Sequence, residues 1–233
     1  MIEINDLTKS FGSTVAVKDL KLNVAKGEIY CLLGANGAGK TTTINLLLNL
    51  VQPENGTAKI GGLNAADEPL KTKEKLTYIP ENLALYPSLS GVENLRFFCG
   101  LSGIKLSDSD AVSYLMEAGL QEEAAHKRVG GYSKGMRQKV GIALAIARSS
   151  EVLLLDEPTS GLDPAASSDF ATLLTNMKER GSAVLMATHD LFRAKETGTK
   201  IGIMNKGSLV EELDAADVTH SDLEKIYLNH MRA

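Results

Sequence analysis

The chain has 233 residues, of which 43% are apolar, and a formal net charge of −4 from 25 Lys and Arg against 29 Asp and Glu. This length and apolar content suffice for one large α/β domain with its own core, and the acidic balance argues against nucleic acid as a partner, because phosphate backbones attract basic surfaces. No apolar run approaches the roughly eighteen residues of a membrane span, so we expect any membrane role to depend on a separate polypeptide.

The N-terminal part of the chain is predicted to form antiparallel strands. Apolar and polar residues alternate over Ile2–Ile4 and again over Val15–Val24, which is typical of strands with one solvated face. Phe11 is predicted to lie in the loop between them. Its ring either stacks on a nucleotide base or packs beneath its own hairpin.

A glycine-rich loop of the form G-x-x-x-x-G-K-T occupies residues 34–42, between the apolar run 29–33 and an amphipathic helix predicted for Thr42–Val51. A backbone that wraps a phosphate with its N–H groups leaves little room for Cβ atoms. Lys40 is expected to reach the β- and γ-phosphates and Thr41 to contact Mg²⁺, while the helix N-terminus attracts the anion. A glycine-rich turn that binds nothing is the alternative. The residues predicted to bind the nucleotide here are Gly34, Asn36, Gly37, Ala38, Gly39, Lys40, Thr41 and Thr42.

The middle of the chain changes from strand to helix. Leu76–Ile79 is predicted to be a strand, which Pro80 ends. Ser90 and Ser107 each have capping-box spacing ahead of apolar residues at helical intervals, and a third helix is predicted for Lys134–Ala147.

The C-terminal part alternates buried strands with a helix and ends in a hairpin. Val152–Leu155 and Ala183–Ala187 are continuous apolar runs too short for helices, so we expect parallel strands buried on both faces. Asp163 precedes a proline and is predicted to cap a helix that ends at Gly181. Residues 201–210 are predicted to form the closing hairpin.

These elements predict an α/β fold with a P-loop NTPase core, a mostly parallel sheet, an N-terminal antiparallel β subdomain and an inserted α-helical subdomain. Residues 1–233 are expected to form a single domain. Residues 1–82 and 148–233 would form the α/β core with its β edge, and residues 83–147 the inserted helical subdomain.

Charged side chains follow two of the predicted buried strands. Ligands of open α/β sheets collect at the carboxyl ends of strands, and there Asp156 is placed to hold Mg²⁺ and Glu157 to orient or deprotonate an attacking water. Two carboxylates at an exposed strand end are the alternative. His189 follows the other strand, and alone it is more often a loop or core histidine than a catalytic one.

The order of motifs resembles that of the ATP-binding subunits of ABC transporters. The phosphate loop is followed by YSKGMRQ at 132–138, LLLDEP at 153–158, SGLD at 160–163 and His189, so the resemblance covers the whole chain. It implies an ATPase that uses ATP and Mg²⁺, acts as a pair of subunits with two nucleotides sandwiched head to tail, and powers a separate transmembrane permease.

The resemblance also implies roles for individual residues. Ser133 and Gly135 would contact the γ-phosphate of ATP held by a second subunit, and Asp163 would contact that subunit. Ser133 and Asp163 are also suited to capping helices, and both roles can hold together. Phe11 becomes the adenine-stacking aromatic residue, and His189 a γ-phosphate contact.

Two charged residues depart from the family pattern. Glu81 stands where the family usually has a metal-contacting glutamine, so an oxygen ligand is kept, a negative charge is added and an amide donor is lost. Lys134 stands where glycine is common in the signature motif, while Ser133 and Gly135 remain in place.

The segment that follows Glu81 resembles that of an exporter-type branch of the family. Its apolar residues, including Leu83, Leu85 and Tyr86, either contact the membrane subunit or pack locally.

The exporter-type branch implies efflux of a drug or another small molecule, from a site on the cytoplasmic face of the cell membrane. Cys31 and Cys99 are expected to be buried, reduced thiols, which fit a cytosolic protein. The second ATP-binding subunit is either a copy of this chain or a different one.

Two other classes of protein remain as alternatives. A soluble ABC ATPase acting on ribosomes or DNA usually carries two ATPase units or a long coiled-coil insertion, and this chain contains neither. A P-loop kinase or GTPase would not be expected to carry the signature at 132–138 or the carboxylate of Glu157.

Overall fold

The computed structural model describes residues 1–232, which form two β-sheets and a set of surrounding helices. The strands of this part of the chain are β1 (Ile2–Phe11), β2 (Thr14–Val24), β3 (Ile29–Leu33), β4 (Asn55–Ile60), β5 (Leu63–Asn64), β6 (Leu76–Ile79), β7 (Val152–Asp156), β8 (Ala183–Thr188), β9 (Lys200–Asn205) and β10 (Ser208–Asp214). One sheet is antiparallel, in the order β2-β1-β4-β5. The other has the order β10-β9-β3-β8-β7-β6, and only β10 and β9 in it pair antiparallel. The predicted fold class is confirmed.

Helices cover the six-stranded sheet and fill the region between β6 and β7. They are α1 (Lys40–Leu47), α2 (Pro69–Lys75), α3 (Gly91–Leu101), α4 (Asp108–Glu117), α5 (Glu122–Ala125), α6 (Lys134–Ala147), α7 (Pro164–Glu179), α8 (Leu191–Thr197) and α9 (His220–Arg232). The predicted bounds of α6 are confirmed. No helix within residues 1–232 is long and apolar enough to cross a bilayer.

The helix caps predicted from the sequence are confirmed. Ser90 and Ser107 accept hydrogen bonds from the backbone N–H groups three residues later, in two complete capping boxes. Asp163 caps α7 in the same way, ahead of a proline in the first turn. Gly181 has a φ of +88° just beyond that helix, a conformation that glycine adopts without strain.

Two details of the predicted elements are wrong. Helix α1 begins at Lys40 instead of Thr42, within the glycine-rich stretch 34–42, and ends at Leu47 instead of Val51. Asn49 takes a φ of +54° there, which ends the helical run. Phe11 is the last residue of β1 and not a loop residue, because its backbone pairs with that of Thr14.

The strands β3, β7 and β8 of the six-stranded sheet are buried on both faces, as their apolar runs predict. In β3, Cys31 and Leu33 belong to one buried cluster, whereas Tyr30 and Leu32 belong to a second. Successive side chains of a strand point to opposite faces, so each strand supplies both clusters. The first cluster includes residues of α3, α4, α6 and α7, and the second lies between the two sheets with α1.

The segment 83–147 contains α3 to α6. Leu95 of α3, Leu115 of α4 and Val140 of α6 share one buried cluster with Leu155 of β7. The helices of this segment therefore pack on the sheet as well as on one another. Its description as an inserted subdomain stays a prediction.

The strand order determines where the strand ends that carry the predicted site residues meet. β3, β8 and β7 are parallel neighbours, so their carboxyl ends lie at one edge of the sheet. Backbone hydrogen bonds join these ends: Gly34 N donates to Thr188 O at 3.2 Å, and Glu157 N donates to Ala187 O at 2.9 Å. The phosphate loop, the two carboxylates and His189 are thereby brought together.

Candidate functional site

The glycines of the phosphate loop are explained by close backbone packing and by backbone conformation. A Cβ on Gly34 would lie 2.5 Å from the carbonyl oxygen of Met204, and one on Gly39 would lie 2.3 Å from that of Ala16. Gly37 has no such neighbour within 4 Å but has a φ of +82°, which side-chain-bearing residues rarely adopt. The loop thus packs against β2 and β9 and keeps its open side free.

The Lys40 ammonium lies at the centre of the loop. Only 5% of the residue is exposed, and its Nζ donates hydrogen bonds to the carbonyl oxygens of Gly34 at 2.7 Å and Ala35 at 3.2 Å. It also lies 3.4 Å from Glu157 Oε1. One buried cation therefore links the loop to the carboxylate at the end of β7.

The Asp156 carboxyl group is buried beside the start of α1. Thr41 Oγ1 donates a hydrogen bond to Asp156 Oδ1 at 3.2 Å, and 7% of Asp156 is exposed. Burial is the main cause that raises its pKa, and the nearby charges of Glu157 and Glu81 add to the rise, while the Thr41 hydroxyl and the Lys40 ammonium oppose it. The pocket thus concentrates negative charge around Asp156.

Glu157 has a strained backbone and a buried carboxylate. Its φ is +48°, which is uncommon for a residue with a side chain and is often found at functional sites. Its Oε2 lies 2.8 Å from His189 Nδ1, within hydrogen-bond distance. Its Oε1 is buried without a hydrogen-bond partner in the described chain, although the Lys40 ammonium is nearby. The carboxylate is therefore held from two sides, by Lys40 at Oε1 and by His189 at Oε2, and Oε1 can still accept a hydrogen bond.

These groups surround an open cavity of about 610 Å³. Its lining includes most of the predicted nucleotide and metal residues, namely Asn36, Gly37, Ala38, Gly39, Lys40, Thr41, Thr42, Glu81, Asp156 and Glu157. It also includes residues that we did not predict, namely Thr14, Val15, Ala16 and Lys206. The first three belong to β2 and the last to the turn between β9 and β10. The Asn-Lys-Gly turn was the one sequence signal for Lys206, whose φ in the fold is +48°.

Other predicted site residues lie outside the lining of this cavity. Phe11 is 51% exposed at the end of β1, next to the Lys9 ammonium, which is 5.4 Å from the ring centroid. Ser133 caps α6 by accepting a hydrogen bond from Met136 N at 3.2 Å, and Gly135 lies in the first turn of that helix. Asp163 caps α7 through Ala166 N at 2.9 Å. The chain alone does not bring these residues to the phosphate loop.

Glu81 connects the cavity with helix α6. Its carboxylate oxygen Oε1 lies 3.5 Å from Lys134 Nζ. The backbone carbonyl oxygens of Pro80 and Glu81 each accept a hydrogen bond from Gln138 Nε2 at 3.3 Å. Gln138 is the last residue of the motif at 132–138, but the sequence assigned it no role, and it is 1% exposed inside the helical segment.

Comparison with known proteins decides the family. The family model described as ABC transporter matches residues 17–160. The bacitracin transport ATP-binding protein of Enterococcus faecalis is 38% identical over 219 residues, which cover 94% of this chain and 70% of that protein. This chain belongs to the ABC transporter family. It is an ATP-binding subunit that binds and hydrolyses ATP.

Solved structures agree with this assignment. A structure described as the ATP-binding subunit of an ABC transporter has a TM-score of 0.84 and 30% identity, and the match covers 98% of each chain. A dimeric ATP-binding cassette in a post-hydrolysis state, bound to ADP and Pi, has a TM-score of 0.82 and 26% identity, with 92% of this chain and 99% of that chain covered. The ABC ATP-binding subunit thus shares its whole fold with these cassettes.

Proposed function

We propose that the cavity at the phosphate loop holds Mg-ATP, with the phosphates on the loop and the metal on Asp156 and Thr41, joined by Glu81. Within residues 1–232 no cluster of three or more His, Cys, Asp or Glu side chains is arranged to hold a metal ion. Mg²⁺ commonly takes one or two carboxylates of the protein and completes its shell with phosphates and water. The Thr41 hydroxyl and the buried Asp156 carboxyl group, 3.2 Å apart, fit such a partial site.

We assign Glu157 as the general base of hydrolysis and His189 as the group that orients it. A base must hold a free acceptor oxygen close to the attacking water. Glu157 Oε1 is buried without a hydrogen-bond partner, and the contact of Oε2 with His189 fixes the plane of the carboxylate. We also assign to His189 a contact with the γ-phosphate. Lys40 neutralises the developing phosphate charge.

A second subunit completes each nucleotide site in this proposal. Ser133 and Gly135 lie at the N-terminus of α6, outside the cavity of their own chain, and that N-terminus attracts anions. They would cover the γ-phosphate of ATP bound to the other subunit, while Asp163 contacts that subunit and Phe11 stacks on adenine. The partner is a second copy of this chain or a related one, and dimeric cassettes of the same fold support this arrangement.

The pair of subunits would drive a transmembrane permease that exports a drug or another small molecule. The named function of the bacitracin transport relative supports this class of cargo. The location that follows is the cytoplasmic face of the cell membrane, through contact with the permease. The aromatic patch formed by Tyr86, Phe97 and Phe98 is the surface that we assign to this contact, because Tyr86 and Phe97 remain 48% and 40% exposed.

The observation that carries the site assignment is the chain of contacts from Lys40 to Glu157 to His189. Lys40→Ala should abolish measurable ATP hydrolysis, and Glu157→Gln should lower the turnover by about 10² to 10⁴, the typical effect of a positioned base. Both are measured as phosphate release by the purified protein, with circular dichroism to verify the fold. Lys75→Ala is the matched control, because Lys75 pairs with Glu151 at 2.7 Å away from the cavity. Wild-type turnover in Lys40→Ala or Glu157→Gln would refute the assignment.

A further inference from the structure

Glu81 and Lys134 lie 53 residues apart in the sequence and contact each other in the fold, with 3.5 Å between Oε1 and Nζ. Glu81 follows strand β6 and lines the nucleotide cavity. Lys134 is the first residue of α6, between Ser133 and Gly135. One ion pair therefore connects the nucleotide cavity with the start of α6, which we propose to contact the nucleotide bound by the second subunit.

A second contact supports the first from the same helix face. Gln138 lies one turn after Lys134 and donates from Nε2 to the carbonyl oxygens of Pro80 and Glu81. Its side chain is buried, and its Oε1 has no hydrogen-bond partner in the described chain. The first two turns of α6 thus hold residue 81 by its backbone through Gln138 and by its side chain through Lys134.

Several carboxylates line the cavity that this ion pair borders. Glu81, Asp156 and Glu157 all line the cavity, and the Lys40 ammonium lies near Glu157. Lys134 is the cation that contacts Glu81. The side chains of Glu81 and Lys134 are 48% and 26% exposed, and partly exposed ion pairs contribute little to stability. Such a pair is easily broken by a competing cation.

We propose that Lys134 is a positioning residue that competes with the divalent cation for the carboxylate of Glu81. This inference rests on the proposed metal site at Asp156 and Thr41. While Glu81 is paired with Lys134, its carboxylate is held toward α6. A cation that recruits Glu81 frees the Lys134 ammonium beside Ser133, whereas the backbone contacts of Gln138 persist. Occupancy of the metal site is thereby communicated to the helix end that faces the second subunit.

The test is the affinity for Mn²⁺, measured by electron paramagnetic resonance in the presence of adenylyl imidodiphosphate, an ATP analogue that is not hydrolysed. At low ionic strength Lys134→Met should tighten Mn²⁺ binding about 2- to 5-fold, which is the scale of a partly exposed ion pair. Lys134→Arg, which keeps the charge, should bind Mn²⁺ like the wild type. Glu81→Gln should weaken binding, and adding Lys134→Met to it should have no further effect.

Lys139→Met is the matched control, since it removes the same charge from α6 at a residue whose ammonium lies 3.3 Å from Asp169 instead. Unchanged affinity in Lys134→Met would overturn the proposal. Equal tightening with and without Glu81→Gln would also overturn it, because the effect would then be one of general charge. Asp156→Asn distinguishes failure of the competition from failure of the metal site. If Asp156→Asn weakens Mn²⁺ binding while Lys134→Met has no effect, only the competition is refuted. If Asp156→Asn leaves Mn²⁺ binding unchanged, the metal site itself is refuted.

A second measurement uses the unaltered protein. A carbodiimide activates a carboxylate, and an amine in contact with that carboxylate displaces the reagent as a urea and forms an amide bond. Such a reagent should therefore join Glu81 to Lys134, as detected by mass spectrometry of the digest. The yield should fall when Mn²⁺ and the analogue are added together. A yield that does not respond to them would contradict the competition, whatever the behaviour of the variants.

Discussion

The Asp156 carboxyl group lies in an environment that disfavours its own charge. Burial raises its pKa, and the carboxylates of Glu157 and Glu81 raise it further. We therefore expect Asp156→Asn to increase the melting temperature of the subunit at neutral pH, without nucleotide and in a chelator, although it removes the proposed metal ligand. The amide oxygen can still accept the hydrogen bond from Thr41. Differential scanning calorimetry measures the difference.

The pH dependence of this difference has a definite sign. A carboxyl group whose pKa is higher in the folded than in the unfolded protein destabilises the fold above the folded pKa, where it must be charged. As the pH falls below the pKa of the group in the folded protein and then below its pKa in the unfolded protein, the group becomes neutral in both states. Its unfavourable contribution to the free energy of unfolding then disappears. The advantage of Asp156→Asn should therefore shrink in acid. Asp169→Asn is the control, because the Asp169 side chain is 64% exposed. A lower melting temperature for Asp156→Asn at neutral pH would contradict the prediction.

Helix α3 is joined to the loop that precedes it by the fully buried side chain of Asn94. Its Oδ1 accepts a hydrogen bond from Tyr86 N at 2.8 Å, and its Nδ2 donates to Ser90 O at 2.8 Å and to Tyr86 O at 3.2 Å. Asn94→Ala removes the acceptor of the partly buried Tyr86 N–H, whereas Ser90 O and Tyr86 O keep their bonds from Asn94 N and Leu89 N, so we expect a loss of about 1–3 kcal/mol in the free energy of unfolding. Urea denaturation measures it. Asn176→Ala, at an exposed position of α7, is the control and should change stability little. Equal stability of Asn94→Ala and wild type would show that the loop is held by other contacts.

The segment after β6 presents one apolar residue to solvent and packs another inside. Tyr86 is 48% exposed and meets Phe97 edge to face with 4.8 Å between ring centroids, whereas Leu85 packs against the buried cluster of the sheet and helices. Of the two alternatives that we considered from the sequence, local packing thus describes Leu85. Partner contact remains the proposal for Tyr86.

This difference yields a paired prediction. Tyr86→Glu should keep the isolated subunit folded and reduce its copurification with the permease at least tenfold, because a charge would be buried at the contact. Leu85→Glu should instead lower the melting temperature of the isolated subunit, for it places a charge against the core. Pull-down from detergent-solubilised membranes and thermal melts of the purified variants measure the two effects. Undiminished copurification of Tyr86→Glu would exclude the aromatic patch as the docking surface.

At the scale of the whole molecule, the proposal predicts that ATP joins two subunits. Glu157→Gln keeps the size of the side chain and one oxygen but cannot take a proton, so bound Mg-ATP should persist. Light scattering should then find a dimer with Mg-ATP and a monomer with ADP, because the γ-phosphate is the group that both subunits would share.

Ser133→Arg in the same chain provides the control for this assembly. It should prevent dimer formation by steric and charge intrusion at the start of α6 while leaving ATP binding to the monomer intact. A Glu157→Gln protein that binds ATP, does not hydrolyse it and stays monomeric at high concentration would contradict a homodimer. The second subunit would then be a different chain, or closure would need the permease.

The sequence by itself determined the elements that depend on neighbouring residues along the chain. Short apolar runs determined β3, β7 and β8, since a strand buried on both faces needs no polar face. Side-chain caps determined the starts of α3, α4 and α7, because Ser90, Ser107 and Asp163 each satisfy an N–H group only three residues away. The loop at 34–42 likewise carries its phosphate-binding pattern in consecutive residues.

Only the tertiary structure decided which distant residues meet. The adjacency of β3, β8 and β7 brings Lys40 to Glu157, and no local pattern specifies that order of strands. The contacts of Lys134 with Glu81 and of Gln138 with the same backbone cross more than fifty residues. Gly34 and Gly39 had a local explanation in the sequence, but in the fold their missing side chains make room for backbone from β9 and β2. Such contacts depend on packing between elements, and the hydrophobic periodicity within one element does not specify them.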